Sequence, residues 1–171
     1  GYITPFNQKV KILSNYGLDY LIVIKFSIEV MNLNKEDFFN YFLKDLKGLV
    51  VGYDFKFAYK ALGDVKYLKQ KFEGKVFKEI AKVECFNENN ELIKVGSDNI
   101  RVLLKKGNVI EANKLLNRSF SYLGIVQEGK KIGRELGFKT ANIILNEENI
   151  KIKKGVYIVK SNINGKVYYG I

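Results

Sequence analysis

The sequence contains no histidine, no tryptophan and a single cysteine, Cys85. One cysteine excludes an intramolecular disulfide framework and suits a reducing compartment, so we expect a cytoplasmic protein. Without histidine or a second thiol, the chain lacks the usual ligands of a structural zinc site. Long apolar runs are also missing: the longest, 20–24, has the length of a strand and is far below the ~18 residues of a membrane span. We therefore expect no membrane partner.

Arginine is scarce although the chain is strongly basic. The net charge is +11, but only three of the 29 basic residues are arginine. Nucleic-acid-binding surfaces usually concentrate basic residues on one face and use arginine prominently. Here the lysines are scattered among many asparagines, which is typical of proteins from A+T-biased genomes. The composition therefore does not favour a nucleic-acid partner, and it is compatible with anionic small-molecule substrates.

Helical and strand patterns alternate through the first two thirds of the chain. The predicted helices span 5–15, 35–46 with Asn34 as its cap, and 64–72, and the predicted strands span 20–26, 49–53 and 75–84. This rhythm predicts a parallel sheet with helices on its faces. Ligands of such sheets bind outside the carboxyl ends of the strands. The loop 52–57, which leaves one such end, is therefore a candidate binding segment.

The rhythm changes after Arg118. Two further helices, 98–105 and 109–116, are joined by a turn at Gly107-Asn108. Beyond them the pattern is one of strands only, predicted over 119–126, 143–145, 155–160 and 166–171, with Asn164-Gly165 as a type I′ hairpin turn. We place a domain boundary between 118 and 119, giving domains 1–118 and 119–171. A small closed barrel needs about six or more strands, which is more than are predicted here. We therefore expect the chain to be a piece of a longer protein, cut at both ends. The sequence does not indicate an oligomeric state.

The segment 124–143 is the richest in candidate chemistry. It contains four glycines together with Lys130, Lys131 and Arg134. Glycine-rich turns can present successive backbone amides to an anion. Thr140 and Asn142 offer a hydroxyl and an amide carbonyl, the hard oxygen ligands that Mg²⁺ prefers. The residues alone leave two interpretations open: a nucleotide-phosphate site other than a P-loop, or a glycine-rich hairpin with a solvated basic face.

The same segment resembles the opening of riboflavin kinase domains, G-x-x-x-G-R-x-x-G-F-P-T-A-N-I. The matching residues are Gly129, Gly133, Arg134, Gly137, Phe138, Thr140, Ala141, Asn142 and Ile143. Lys139 stands where the family usually has proline, which removes a fixed φ and adds a charge. The resemblance implies an ATP site that consists of Gly133, Arg134, Gly137, Phe138, Thr140 and Asn142. It also implies that Thr140 and Asn142 hold Mg²⁺.

The first part of the chain resembles a second domain of the same enzymes. The segment 51–57 with Gly63-Asp64 is similar to the G-x-D-F-x-F-G-x…G-D loop of prokaryotic flavin adenylyltransferase domains, which precede riboflavin kinase in bifunctional FAD synthetases. The segment 95–101 is similar to their I-S-S-T-x-I-R helix start. Three residues depart from these patterns: Ala58 and Gly96 replace glycine and serine, and Asp98 replaces threonine and puts negative charge near the expected triphosphate.

Five residues of these segments are candidate ligand contacts. Asp54 can accept hydrogen bonds, while Phe55 and Phe57 can either stack on a ligand or pack in the core. Ser97 is predicted to cap a helix whose exposed amides suit an anion. Arg101, one turn later, can reach the same phosphate or be an ordinary surface charge. The resemblance implies that all five line the ATP and flavin site of the adenylyltransferase.

The resemblance implies a fold and two activities. The fold is α/β: a Rossmann-like nucleotidyltransferase sheet followed by the start of a small antiparallel β-barrel. One activity transfers the γ-phosphate of ATP to the riboflavin 5′-hydroxyl, giving FMN. The other transfers AMP from a second ATP to FMN, giving FAD and pyrophosphate. ATP, riboflavin and FMN are thus the implied small-molecule partners, with Mg²⁺ as cofactor.

The catalytic groups of both activities are missing from the sequence. The H-x-G-H histidines of the adenylyltransferases are absent, and the family's kinase glutamate would lie beyond Ile171. We therefore assign no catalytic residue and expect neither activity at normal rates from this chain by itself. One alternative is a non-catalytic flavin or nucleotide binder, which is suggested by the departures from the family patterns at Ala58, Gly96, Asp98 and Lys139. A third interpretation, a nucleic-acid-binding protein, depends on the net charge alone.

Overall fold

The structure is a computed structural model that describes residues 1–129, 137 and 140–171. These residues form two compact units, each described by itself. The central unit consists of residues 20–84, and the terminal unit combines residues 1–19 with 85–171.

Helices and short strands alternate along the described residues. The helices are α1 (Phe6–Ser14), α2 (Ile28–Asn32), α3 (Lys35–Phe42), α4 (Val65–Lys71), α5 (Ser97–Lys106) and α6 (Val109–Leu116), with a 3₁₀ turn at Tyr59–Ala61. The strands are β1 (Gly48–Gly52), β2 (Lys56–Phe57), β3 (Gly63–Asp64), β4 (Val76–Ile80), β5 (Glu84–Phe86), β6 (Leu92–Lys94), β7 (Gly124–Gln127), β8 (Asn142–Leu145), β9 (Val159–Ile163) and β10 (Lys166–Gly170). This mixture of a parallel pair with small antiparallel sheets confirms the α/β class.

A parallel strand pair organises the central unit. Strand β1 pairs with β4 in register from Gly48↔Val76 to Gly52↔Ile80, and α4 lies in the connection between them. The predicted βαβ arrangement is therefore confirmed for this pair. The predicted strand 75–84 is shorter than expected, because its residues divide between β4 and β5.

Aromatic side chains fill the core of the central unit. Its buried residues are Phe39, Val51, Phe57, Leu68 and Phe72. The rings of Phe39 and Phe72 meet edge to face, with centroids 5.9 Å apart and planes at 87°. Such pairs contribute about 0.5–1.5 kcal/mol beyond the burial of their surface. Phe39 also meets Tyr67 of α4 edge to face, with centroids 6.4 Å apart, so ring contacts hold α3 against α4 and the residue that follows it.

The strand predicted over 20–26 is wrong. The segment has no strand conformation, and its side chains are exposed: Tyr20 by 87% and Ile22 by 82%. A run of apolar residues favours a buried strand, but a strand also needs a neighbour to pair its backbone groups. None of the described strands pairs with this segment.

The predicted cap at Asn34 is confirmed, and side chains also cap α4 and α6. The Asn34 Oδ1 accepts a hydrogen bond from the Asp37 amide at 2.9 Å, and Asp64 caps α4 in the same way through the Tyr67 amide. Gly107, with φ of 82°, ends α5, and Asn108 begins α6. Helix α3 stops at Phe42, four residues earlier than predicted, because Leu43 leaves the helical conformation.

Helices α5 and α6 carry the core of the terminal unit. The buried residues are Ile100, Leu104, Ala112, Leu115 and Ile150. The Tyr122 hydroxyl donates to the Ile150 carbonyl at 2.6 Å and accepts from the Ile152 amide at 3.3 Å. Burial raises the pKa of this phenol. The tyrosine thereby ties the chain after β8 to the segment that precedes β7.

Two antiparallel hairpins follow the helices of the terminal unit. Strands β7 and β8 pair from Gly124↔Leu145 to Gln127↔Asn142, and β9 pairs with β10 around Asn164-Gly165. Both turn residues have positive φ, 51° and 81°, which confirms the predicted type I′ signal. The strand predicted from 155 begins only at Val159, and the one predicted from 119 only at Gly124. No helix in the described part of the chain is long and apolar enough to cross a membrane.

We predict that Leu68→Ala destabilises the central unit by about 2–5 kcal/mol, because Leu68 is fully buried and the remaining cavity cannot close. The control is Leu62→Ala, at a leucine that is 67% exposed, and we expect a change within about 0.5 kcal/mol. Denaturant unfolding measures both. Equal effects of the two substitutions would contradict the core described here.

Candidate functional site

The loop after β1 presents Asp54 at the carboxyl end of a parallel strand. The Tyr53 amide donates to the Ile80 carbonyl at 2.9 Å, and the Phe55 amide donates to the Gly52 carbonyl at 3.0 Å. These bonds close a tight turn with Asp54 exposed in its middle. The position agrees with the rule that ligands of parallel sheets bind at this end of the strands.

Phe55 and Phe57 are stacked on each other but differ in exposure. Their ring centroids are 5.8 Å apart, and their planes differ by 21°. Phe57 is only 6% exposed and belongs to the core, whereas Phe55 is 37% exposed. Of the two interpretations that the sequence left open, core packing therefore describes Phe57. Phe55 is the ring with surface available to a ligand.

Asp64 supports the same loop from the neighbouring strand. Strands β2 and β3 pair Lys56 with Asp64 and Phe57 with Gly63. The hydrogen bond from the Tyr67 amide, with the Lys56 ammonium 3.6 Å away as a further cause, holds the pKa of Asp64 below its usual value. The G-D pair of the sequence pattern therefore has a structural explanation: its aspartate caps α4 and pairs with Lys56 of the 52–57 segment.

Ser97 does not cap α5, contrary to the prediction. Gly96 holds the N-cap position with an extended backbone, φ −163° and ψ 159°, and Ser97 is already the first helical residue. No side chain caps this helix, so the amides of its first turn remain available to an anion. Asp98 also lies in that turn, where its charge suits the helix dipole and opposes a bound phosphate.

Arg101 lies on α5 one turn after Ser97. Its guanidinium Nη1 donates a hydrogen bond to the carbonyl oxygen of Gly1. Both residues belong to the terminal unit, whereas the Asp54 loop belongs to the central unit. An anion that binds the Arg101 guanidinium must therefore either displace the Gly1 carbonyl or share the guanidinium with it.

Asn142 is positioned by Gly129 across the β7–β8 hairpin. Thr140 and Asn142 are exposed at the start of β8. A Cβ atom at Gly129 would overlap the Nδ2 of Asn142, whereas Oδ1 lies 3.7 Å from the same point. The amide nitrogen thus faces the glycine backbone and the carbonyl oxygen lies farther from it. The sequence pattern contained Gly129 but gave no sign of this contact.

The remaining predicted kinase residues are only partly described. Gly137 has φ of 82°, a conformation that favours glycine. Gly133, Arg134 and Phe138 lie outside the described residues. Within the described ranges, no group of three or more His, Cys, Asp or Glu side chains could hold a metal ion. The assignment of Thr140 and Asn142 as cation ligands stays a prediction from the sequence.

Two family models match the chain in succession. The model described as FAD synthetase matches residues 1–97, and the one described as riboflavin kinase matches residues 116–171. The chain belongs to the FAD synthetase family. The predicted resemblance is thereby confirmed for both parts of the sequence.

Curated relatives carry the names of both activities. A bifunctional riboflavin kinase/FMN adenylyltransferase from Buchnera aphidicola subsp. Acyrthosiphon pisum is 37% identical over 161 residues, covering 92% of this chain and 50% of the relative. The protein of that name from Bacillus subtilis is 34% identical over 171 residues, covering 99% and 53%. The chain thus spans about half the length of these curated relatives.

A solved structure shares the fold. A crystal structure described as a macrolide-efflux protein from Streptococcus pneumoniae superposes with a TM-score of 0.84 at 28% identity. The superposition covers 98% of this chain and 53% of that protein. The name given to that protein differs from those of the curated relatives, and the likeness is one of fold.

We predict that Gly129→Ala displaces the Asn142 side chain and loosens the β7–β8 pairing, because the new Cβ occupies the place of Nδ2. Amide hydrogen exchange of the two strands should become about tenfold faster. Gly155→Ala is the control, since its Cβ would lie 3.5 Å from the Tyr157 ring, an ordinary contact. Unchanged exchange in Gly129→Ala would show that this glycine does not position Asn142.

Proposed function

We propose that the chain belongs to an enzyme of FAD biosynthesis. The enzyme phosphorylates riboflavin to FMN and adenylylates FMN to FAD, with ATP as the donor in both steps. The observation that carries this proposal is the succession of an FAD synthetase match and a riboflavin kinase match along one chain. We further propose a division into domains 1–118 and 119–171, whose boundary lies close to residue 116, where the riboflavin kinase match begins.

The Asp54 loop is proposed to bind the flavin or adenine ring. Phe55 offers an exposed ring face, and Phe57 supports that ring from the core side. Stacking of a flat heterocycle on an aromatic ring contributes about 1–3 kcal/mol. Asp54, beside the ring, can accept hydrogen bonds from the N–H groups of such a ligand.

The start of α5 is proposed to bind phosphate. Its uncapped first-turn amides, the Ser97 hydroxyl and the Arg101 guanidinium are all suited to an anion. In adenylyl transfer, a phosphate oxygen of FMN bonds to the α-phosphorus of ATP while the bond to pyrophosphate breaks. Ser97 and Arg101 would hold the charged oxygens in place and offset their charge during this exchange.

The β7–β8 hairpin is proposed to bind the ATP of the kinase step. Thr140 and Asn142 supply oxygens that suit Mg²⁺, and the Oδ1 of Asn142 is the atom of its amide farther from Gly129. Bound Mg²⁺ would neutralise the phosphate charge during transfer. Gly133, Arg134, Gly137 and Phe138 complete the proposed ATP site. We further propose a cytoplasmic protein whose partners are ATP, riboflavin and FMN.

We predict two separable binding events for Mg²⁺-ATP in calorimetric titration of the chain. Asn142→Ala removes a cation ligand, so it should weaken the binding event at the hairpin at least tenfold or abolish it, and it should leave the other event unchanged. A factor of about ten corresponds to the loss of one hydrogen bond to a charged group. Asn162→Ala, at another exposed strand asparagine, is the matched control. Absence of any ATP binding by the unaltered chain would contradict the proposal.

The second event should depend on Arg101 instead. We predict that Arg101→Gln weakens it about tenfold or more by removing a charged hydrogen-bond donor, while the hairpin event stays unchanged. Lys105→Gln, on the last turn of the same helix, controls for the loss of one positive charge. If Arg101→Gln and Lys105→Gln had equal effects, Arg101 would act only through net charge.

A further inference from the structure

The orientation of Phe55 depends on two residues that do not themselves face a ligand. We propose that Gly63 and Ala58 are positioning residues that set the Phe55–Phe57 stack for a flat heteroaromatic ligand. Gly63 makes the stack possible, and Ala58 limits how fully it is populated. The proposal deepens the proposed function and rests on it for the nature of the ligand.

Gly63 lies directly against the ring of Phe57. A Cβ atom at this glycine would approach the Cζ, Cε1 and Cε2 atoms of Phe57 to 2.5, 2.6 and 2.7 Å. The backbone of Gly63 is not in the positive-φ region. The requirement for glycine is therefore steric: any larger residue pushes the ring away from β3.

Phe57 cannot absorb such a push, because rings surround it. Its centroid lies 5.1 Å from that of Phe38, 6.1 Å from that of Tyr67 and 5.8 Å from that of Phe55. Phe38 and Tyr67 pack on the side of the core, so these neighbours resist displacement in a densely packed interior. Phe55 is the partly exposed neighbour. A displaced Phe57 therefore moves Phe55 or separates from it.

Ala58, the residue after Phe57, has an unfavourable backbone conformation. Its φ of 66° and ψ of −178° lie in a region that glycine populates almost exclusively. Lys60 and Ala61 follow with positive φ of 52° and 57°. The strained turn is fastened by the hydrogen bond from the Tyr59 amide to the Leu33 carbonyl, 2.7 Å long.

Strain at Ala58 favours competing conformations of the turn. Relaxing the φ of Ala58 rotates the peptide that joins it to Phe57, and this shifts the ring that lies under Phe55. The chain therefore populates the stacked arrangement less fully than a variant with glycine at this position. Apparent ligand affinity falls with the fraction of molecules in the competent conformation.

The ligand that fits the stack is flat and carries hydrogen-bond donors. The Phe55 ring is nearly parallel to Phe57 and 37% exposed, so a further planar ring can extend the stack. Asp54, the exposed residue that precedes Phe55 in the chain, carries a carboxylate that can accept hydrogen bonds. The flavin ring of FMN and the adenine of ATP share this chemistry, and titration with each of them separately distinguishes the two.

The first experiment compares Gly63→Ala with Gly74→Ala in the full chain. Gly74 lies in the same unit with φ of 78° and no atom near its added Cβ, so alanine there strains the backbone without touching the stack. We expect Gly63→Ala to weaken FMN binding, measured by flavin fluorescence, about threefold to tenfold. It should also shift the NMR signals of the Phe55 ring, whereas Gly74→Ala changes neither.

The second experiment compares Ala58→Gly with Ala81→Gly, at an alanine of the same unit without positive φ. We expect Ala58→Gly to lower the unfolding equilibrium constant on the order of tenfold by relieving strain. FMN binding should tighten about threefold as the stacked population rises. Ala81→Gly should give neither gain. The comparison of Ala58→Gly with Ala81→Gly can be made even if the Gly63→Ala variant does not fold.

The outcomes separate the positioning roles of Gly63 and Ala58 from the proposed function. If Gly63→Ala and Gly74→Ala weaken binding equally, or Ala58→Gly leaves affinity unchanged, the positioning roles are wrong. If ATP rather than FMN responds to the variants, adenine is the stacked ring and the positioning roles stand. If the unaltered chain binds neither compound, the proposed function fails, and the Phe55 ring signals still decide the roles of Gly63 and Ala58.

Discussion

The contact between the Phe57 ring and the Gly63 backbone is the constraint on which the central unit depends. It joins the β2–β3 ladder to the aromatic core and fixes the distance between the core and the loop that carries Asp54. Because Phe57 is buried, its surface stabilises the fold, and because Phe55 stacks on it, the same ring shapes the candidate site. The proposed ligand binding at Phe55 would therefore be coupled to the stability of this unit through the Phe57 side chain.

Features set by local chemistry could be predicted from the sequence. The cap at Asn34 and the turns at Gly107-Asn108 and Asn164-Gly165 depend only on a side chain and the few backbone groups nearest to it. The strand predicted over 20–26 was wrong for the opposite reason. Its apolar run suggested a strand, but a strand forms only where another strand pairs with it, and the residues of the segment do not determine whether such a partner is present.

The candidate sites show the same division. Residue types and spacing identified Asp54, Arg101 and Asn142 as chemically suitable. Asp54 lies within the FAD synthetase match and Asn142 within the riboflavin kinase match, whereas Arg101 lies between the two matches. The roles of all three remain predictions. Their actual neighbours are tertiary: the Gly1 carbonyl at Arg101, and Gly129 at Asn142. Ser97 was misplaced by one residue because glycine and serine both suit an N-cap, and the backbone, not the side chain, decided between them.

The central proposal is a ring-binding surface at Phe55 and a Mg²⁺-ATP surface at Asn142, in addition to the ATP site proposed at the start of α5. A crystal structure of the chain with FMN and a non-hydrolysable ATP analogue with Mg²⁺ tests this most directly. The account predicts a planar ring stacked on Phe55 and a cation that contacts the oxygens of Thr140 and Asn142. Ligand density elsewhere, with both surfaces contacting only solvent, would contradict it.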